Sequence, residues 1–120
     1  MLPRQYRLSE NFAIKEVYQR GRWVKTAHLK LFYFFSKQKD PSFAFVVSKK
    51  QVRRIVDRNR LKRIFRAEVS KVLKNVVPGT KVIVQARVDM PKLPSSEIRA
   101  ELKEALIKAK ILFTPLEIPN

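Results

Sequence analysis

An α+β fold, a two-layer sandwich of helices on a mostly antiparallel sheet in the order α-β-β-β-α-β-α, is what the 120-residue sequence predicts. Three observations predict it. Three segments repeat apolar residues at helical spacing, four short runs are dense in β-branched and aromatic residues, and short polar or proline-bearing breaks separate them. No internal repeat or low-complexity linker interrupts the pattern. Length and a 45% hydrophobic content suit one domain, expected over 1–113, with 114–120 as a loose tail carrying Pro115 and Pro119.

The elements follow in order. Ser9 is placed to cap a first helix over about 10–20, in which Phe12, Ala13, Val17 and Tyr18 recur at helical spacing until Gly21 stops it. Trp23 to Lys25 reads as a short strand. Leu29 to Phe35 is apolar or aromatic on both alternating faces, as in a strand with little solvent exposure. Lys37 to Ser42 reads as a loop and turn, and Phe43 to Val47 as the return strand of an antiparallel hairpin.

From about Arg53 to Asn75 the period changes to 3.6, with Leu61, Ile64, Phe65, Val69, Val72 and Val76 along one side and Pro78-Gly79 ending the run. This is the long central helix. Lys81 to Val88, with Val82-Ile83-Val84, reads as a buried strand, and Pro91 to Pro94 as its exit. Ser95 or Ser96 is placed to cap a last helix, whose stripe of Ile98, Leu102, Ala105, Leu106 and Ala109 packs inward. Glu97 and Glu101 lie near its positive start, Lys108 and Lys110 near its end.

Composition narrows function. Twenty-seven Lys and Arg against ten Asp and Glu give a formal charge of +17, which repels itself unless a polyanion neutralises it. The absence of cysteine excludes disulfides, thiolate metal sites and a thiol nucleophile, and is compatible with a reducing cytoplasm. The first residues lack the apolar run of a signal peptide, and no stretch approaches the ~20 apolar residues of a membrane span. A cytoplasmic nucleic-acid binder without membrane contact is the expectation.

The densest feature is Lys49 to Arg66, where nine of 18 residues are basic and only Asp57 is acidic. At 100° per residue Asn59, Lys62, Arg63 and Arg66 fall opposite Leu61, Ile64, Phe65 and Val72, so burying the stripe turns a cationic ridge outward. Arginine forks bind phosphate oxygens bidentately, lysine adds compact charge, and Asn59 adds a hydrogen bond to sugar or base. Charge runs are usually solvated helix faces, but the overall charge weighs against that here. Structured RNA is favoured over duplex DNA, since no helix-turn-helix pair, zinc ligands or basic zipper is visible.

A second surface is aromatic. Ile14 and Tyr18 lie one turn apart on the first helix, and Phe32 and Phe34 share one face of a strand whose other face shows Leu31, Tyr33 and Phe35. One face meets the helices. The other is either further core or a groove whose rings stack on single-stranded bases. His28, the single histidine, reads as an incidental strand-start residue. The ten carboxylates are scattered and announce no metal pair, and Glu68 lies beside the apolar stripe with no visible partner. No catalytic constellation is visible.

Lys49-Lys50, seven residues, then Arg58-Asn59-Arg60-x-Lys62-Arg63-x-x-Arg66 resembles the RNR motif of the bacterial ribonuclease P protein family. Tyr6-Arg7-Leu8, Gly21, Val46-Val47-Ser48-Lys49-Lys50 and Val82-Ile83-Val84-Gln85-Ala86-Arg87 also stand where that family would have them. The resemblance implies a ribosomal-protein-like fold with a left-handed βαβ crossover, against the usual right-handed rule. It implies that an RNA subunit with Mg2+ hydrolyses the phosphodiester, while the protein binds that RNA and holds the 5′ leader of precursor transfer RNA in a central cleft, no protein oligomer being required.

Carried over by position, Arg58, Asn59, Arg60, Lys62, Arg63 and Arg66 face the RNA subunit, with Lys49, Lys50, Arg53 and Arg54 close by. Ile14, Tyr18, Phe32 and Leu106 match cleft-lining positions. Ile14 and Leu106 are aliphatic where relatives often carry rings, and Thr80-Lys81 replaces an acidic residue common before the strand. A ribosomal or RNA-chaperone protein and a self-sufficient nuclease are the competing readings. The first fits the composition but not the motif spacing, and the second lacks an active site.

Overall fold

A computed structural model describes residues 4–9 and 11–112. Helix α1 spans Asn11–Arg20, strands β1 Arg22–Lys25, β2 Leu29–Phe35 and β3 Ser42–Val46 follow, then helix α2 Ile55–Val72, strand β4 Thr80–Ala86 and helix α3 Ser95–Lys108. Glu10, where the first helix is expected to begin, and the tail from Phe113 lie outside the described residues. Gly21 closes α1: its N–H donates to the Val17 carbonyl, and a Cβ there would collide with the carbonyls of Val17 and Tyr33. Only glycine lets the chain turn so tightly against β2.

The sheet order is β1-β2-β4-β3, with β1-β2 and β2-β4 antiparallel and β3-β4 parallel. The α+β class, the element order and the mostly antiparallel sheet are as the sequence predicts. The hairpin between 29–35 and 43–47 is not. β4 lies between those strands because Val82, Ile83 and Val84 are buried on both faces, which needs a paired neighbour on each side as well as a layer above and below. The segment 36–41 therefore spans two strand spacings, about 10 Å, instead of making a tight turn. β3 and β4, parallel neighbours, are joined through α2.

Helices lie on both faces of the sheet. Leu29, Leu31, Phe43, Val82 and Val84 point to one face and form the main core with Leu61, Phe65 and Val69 of α2 and Ile98, Leu102 and Leu106 of α3. Ile83, Phe32, Phe34, Ala44 and Val46 point to the other, where, of the three helices, α1 packs through Ala13 and Val17, joined by Leu8 of the N-terminal segment. The reason is the double-sided apolar character of β2 and β4: a strand apolar on both faces is stable only if both are covered. Edge strand β3 is partly closed by the N-terminal segment, whose Leu8 N–H donates to the Phe43 carbonyl at 2.8 Å.

One cap and the bounds of the central helix differ from expectation. Pro94, not Ser95 or Ser96, occupies the N-cap of α3, its carbonyl accepting from Glu97 and Ile98 N–H. The central helix starts at Ile55 without a side-chain cap and ends in a 3-10 turn, Leu73–Asn75, before Pro78-Gly79 is reached.

Candidate nucleic-acid interface

The cationic segment is built by the chain's own carbonyls. Before α2 the chain turns at Ser48, whose backbone carbonyl accepts from Val52 N–H at 2.9 Å and whose hydroxyl accepts from Gln51 N–H at 3.1 Å. Lys49 and Lys50 sit exposed on this turn. Arg58 reaches back to donate to the carbonyls of Val52 at 3.0 Å and Arg53 at 2.8 Å, holding the entry to the helix. Arg53 and Arg54 are left exposed, Arg54 lying 3.9 Å from Asp57.

Within α2 the basic side chains part into two flanks. Arg60 donates to the carbonyls of Pro91 at 3.3 Å and Leu93 at 3.2 Å and to the Ser95 hydroxyl at 3.3 Å, tying the helix to the loop before α3. It borders a depression shared with exposed Arg63 and Arg99. On the other flank Lys62 and Arg66 rim a groove of about 460 Å³ at the β3 edge, floored by Ile14, Ala44 and Val46 and closed by Arg7, Leu8 and Ser9. Asn59 stands exposed. The helical wheel placed Asn59, Lys62, Arg63 and Arg66 together; packing sends Lys62 and Arg66 to the groove and Arg63 toward α3.

Beyond the groove the α1 face of the sheet stays partly open. Tyr18, 41% exposed, meets Phe32 edge to face with ring centroids 4.7 Å apart, and burial against that ring raises the phenol's pKa, leaving it neutral. Ile14, Tyr18 and Phe32, expected as cleft residues, are therefore together on one side of the sheet. Leu106 is not with them. It is 0% exposed in the main core on the far side, because α3 turns its whole apolar stripe to β2 and α2. A residue whose neighbours at helical spacing are all core is core itself, and its assignment to the cleft is corrected.

Other residues that sequence left unexplained have partners. Glu101 accepts from the Thr26 hydroxyl at 2.6 Å, the His28 backbone N–H at 2.8 Å and His28 Nδ1 at 2.8 Å, clasping the β1-β2 connection to α3. Burial pushes its carboxyl pKa up, but these hydrogen bonds and the charge of His28 outweigh that and hold it below the usual value. Glu68 pairs with Lys71 at 3.9 Å, and Lys81 with Glu16 at 3.6 Å, the second pair joining β4 to α1. Arg7, Ala44 and Val46 were missed as groove residues. Only the register of β3 beside the N-terminal segment reveals them.

A basic helix rimming an apolar groove on a split β-α-β sheet is the geometry on which the comparisons bear. Residues 2–110 match the family model described as Ribonuclease P. The chain belongs to the ribonuclease P protein family. It is 31% identical over 117 residues to the ribonuclease P protein component of Rippkaea orientalis, covering 93% of this chain and 92% of that one. It is 34% identical over 113 residues to that of a Pseudanabaena species, covering 93% and 97%. A structure of Staphylococcus aureus RNase P protein superposes with a TM-score of 0.81 at 27% identity, over 89% of this chain and 97% of that one. The Thermotoga maritima RNase P protein, at 18% identity, shares the fold with a TM-score of 0.74. As a member of this family the chain is a protein component of a ribonuclease.

Proposed function

We propose that this protein binds the catalytic RNA of ribonuclease P and the 5′ leader of precursor transfer RNA, so that the leader is cut away to leave the mature 5′ end. The observation that carries the reading is the groove shared by α2 and α1, in which Lys62 and Arg66 stand over an apolar floor containing Ile14. Phosphates take the cations and bases take the floor, with the Tyr18-Phe32 pair continuing it. A single strand fits such a groove, whereas duplex presents neither its bases nor a matching curvature.

The RNA subunit is bound by the basic segment as a whole: Lys49 and Lys50 on the turn, Arg53 and Arg54 before α2, Arg58 and Arg60 at its start, then Lys62, Arg63 and Arg66, with Asn59 adding a polar contact and the groove-rim pair Lys62 and Arg66 serving both RNAs. Arg58 and Arg60 act in part by holding that surface in shape, since their guanidinium groups already donate to backbone carbonyls. Each guanidinium has five N–H donors, so some remain for phosphate. Among the described residues no group of three carboxylate or imidazole side chains could hold a metal ion, and no step is routed through a metal bound to protein. Mg2+ and the hydrolytic chemistry belong to the RNA in this reading. The protein works as a single copy in the cytoplasm.

The test is cleavage of a precursor transfer RNA at low magnesium by a bacterial ribonuclease P RNA with and without this protein, with the protein alone as control. Cutting at the mature 5′ end only by the combination is the expected result. Cutting by the protein alone would restore the nuclease reading, and binding without stimulation would make the protein a general RNA binder.

A further inference from the structure

The α1 face carries one more feature. Across the sheet Trp23, Phe32, Ile83 and Ala44 are in register, and the next row on the same face is Lys25, Lys30, Gln85 and Val46. α1 buries Ile83 completely but leaves the β1 end of both rows open, with Trp23 57% exposed. The Lys30 ammonium lies 4.6 Å from the Trp23 ring centroid and 4.9 Å from that of Phe32.

An indole more than half exposed at a sheet edge costs solubility, and α1, α2 and α3 all pack elsewhere. Its chemistry is that of a base-stacking surface: two rings on one face, with an ammonium above both and a second lysine, Lys25, beside them. The groove under Lys62 and Arg66 lies at the β3 edge, and this platform lies three strand spacings away, about 14 Å, on the same face, where α1 covers Ile83 and leaves Gln85 of the next row partly exposed.

We infer that Trp23 and Lys30 form a second contact for single-stranded RNA, in which Trp23 stacks on a leader base upstream of those held in the groove and Lys30 takes the adjoining phosphate. This rests on the leader-binding reading above and extends it to a length dependence: short leaders end within the groove, and longer ones reach β1. An acidic peptide would satisfy Lys30 and Lys25 but gives the two rings nothing to stack on, so RNA is the occupant that uses every group present.

Trp23 is the single tryptophan, so its fluorescence reports the platform directly. The experiment titrates the protein, assembled with a ribonuclease P RNA, with precursor transfer RNAs whose leaders lengthen one nucleotide at a time, and repeats the affinities for Trp23→Ala, Trp23→Phe and Phe32→Ala. The expected result is quenching that sets in only beyond a threshold leader length. Trp23→Ala should lose roughly five- to tenfold in affinity above that threshold and nothing below it, with Trp23→Phe recovering most of the loss. Unchanged fluorescence with long leaders, while Phe32→Ala still loses leader affinity, would overturn the platform and leave the groove standing. No leader dependence in any variant would remove the groove reading itself. Quenching on raising protein concentration without RNA would make the patch a contact between copies and overturn the inference.

Discussion

The two faces of the sheet carry the same kinds of residue and do different things. On one, α2 and α3, 18 and 14 residues long, reach about 27 and 21 Å and cover most of strands about 23 Å long, leaving Phe35 at the end of β2 exposed. On the other, the 10 residues of α1 reach about 15 Å, and among the described residues the buried cluster is Leu8, Ala13, Val17 and Ile83. The uncovered remainder is where rings and cations meet solvent. Helix length, more than the identity of the aromatic residues, decides which face stores stability and which is free to bind.

Leu106 and Phe32 test this division most strongly. Leu106→Ala should cost about 2–5 kcal/mol, read as a shift of the urea midpoint, because it empties a closed core. Preference for leader-bearing over mature transfer RNA should survive in the folded fraction. Phe32→Ala should cost less stability but lose about 1–3 kcal/mol of affinity for leader-bearing precursor, with mature transfer RNA binding unchanged. The reverse pattern would put Leu106 on the binding face and break the comparison.

Arg60 and Arg63 divide the same helix on a finer scale. Arg63→Glu should weaken assembly with the RNA and lower the salt dependence by about one unit of slope, while leaving the unfolding midpoint nearly unmoved, because Arg63 is exposed. Arg60→Glu should weaken assembly too and also cost about 1–3 kcal/mol of stability, since it removes the donors that the carbonyls of Pro91 and Leu93 accept. Equal stability for both variants would mean that the bonds to the loop before α3 contribute nothing, and that Arg60 belongs wholly to the RNA.

How much of this was legible follows from range. The helices, the strands and the outward cation ridge were readable because each rests on periodicity within one segment, and α2 and α3 lie almost where their stripes put them. Strand order was not, because nothing local to 29–47 records that 80–86 inserts between its strands. The aromatic face shared by α1 and β2 was legible as either core or groove, and the family resemblance added Leu106 to it, which misled, since position along the chain does not say which side of the sheet a helix occupies. Glu101 with Thr26 and His28 was out of reach for the same reason, the partners being more than 70 residues apart.

That clasp joins the two faces and gives the smallest expected effect. Glu101 sits on α3, part of the closed face, yet holds the turn of the hairpin that presents Trp23 and Lys30 on the open one, and Lys108 assists by donating to the Lys25 carbonyl at 3.3 Å. Because the folded carboxyl has a lowered pKa, its stabilisation is fully present above the unfolded value of about 4.3 and is lost as pH falls through the folded one. Glu101→Gln should therefore cost about 1–2 kcal/mol at neutral pH, with the gap to the unsubstituted protein closing in thermal melts as pH drops below about 4. If the hairpin depends on this anchor, the variant should also show altered Trp23 emission at neutral pH in the absence of RNA. A gap that stays constant with pH would mean that the carboxylate charge is not what fastens the open face to the closed one.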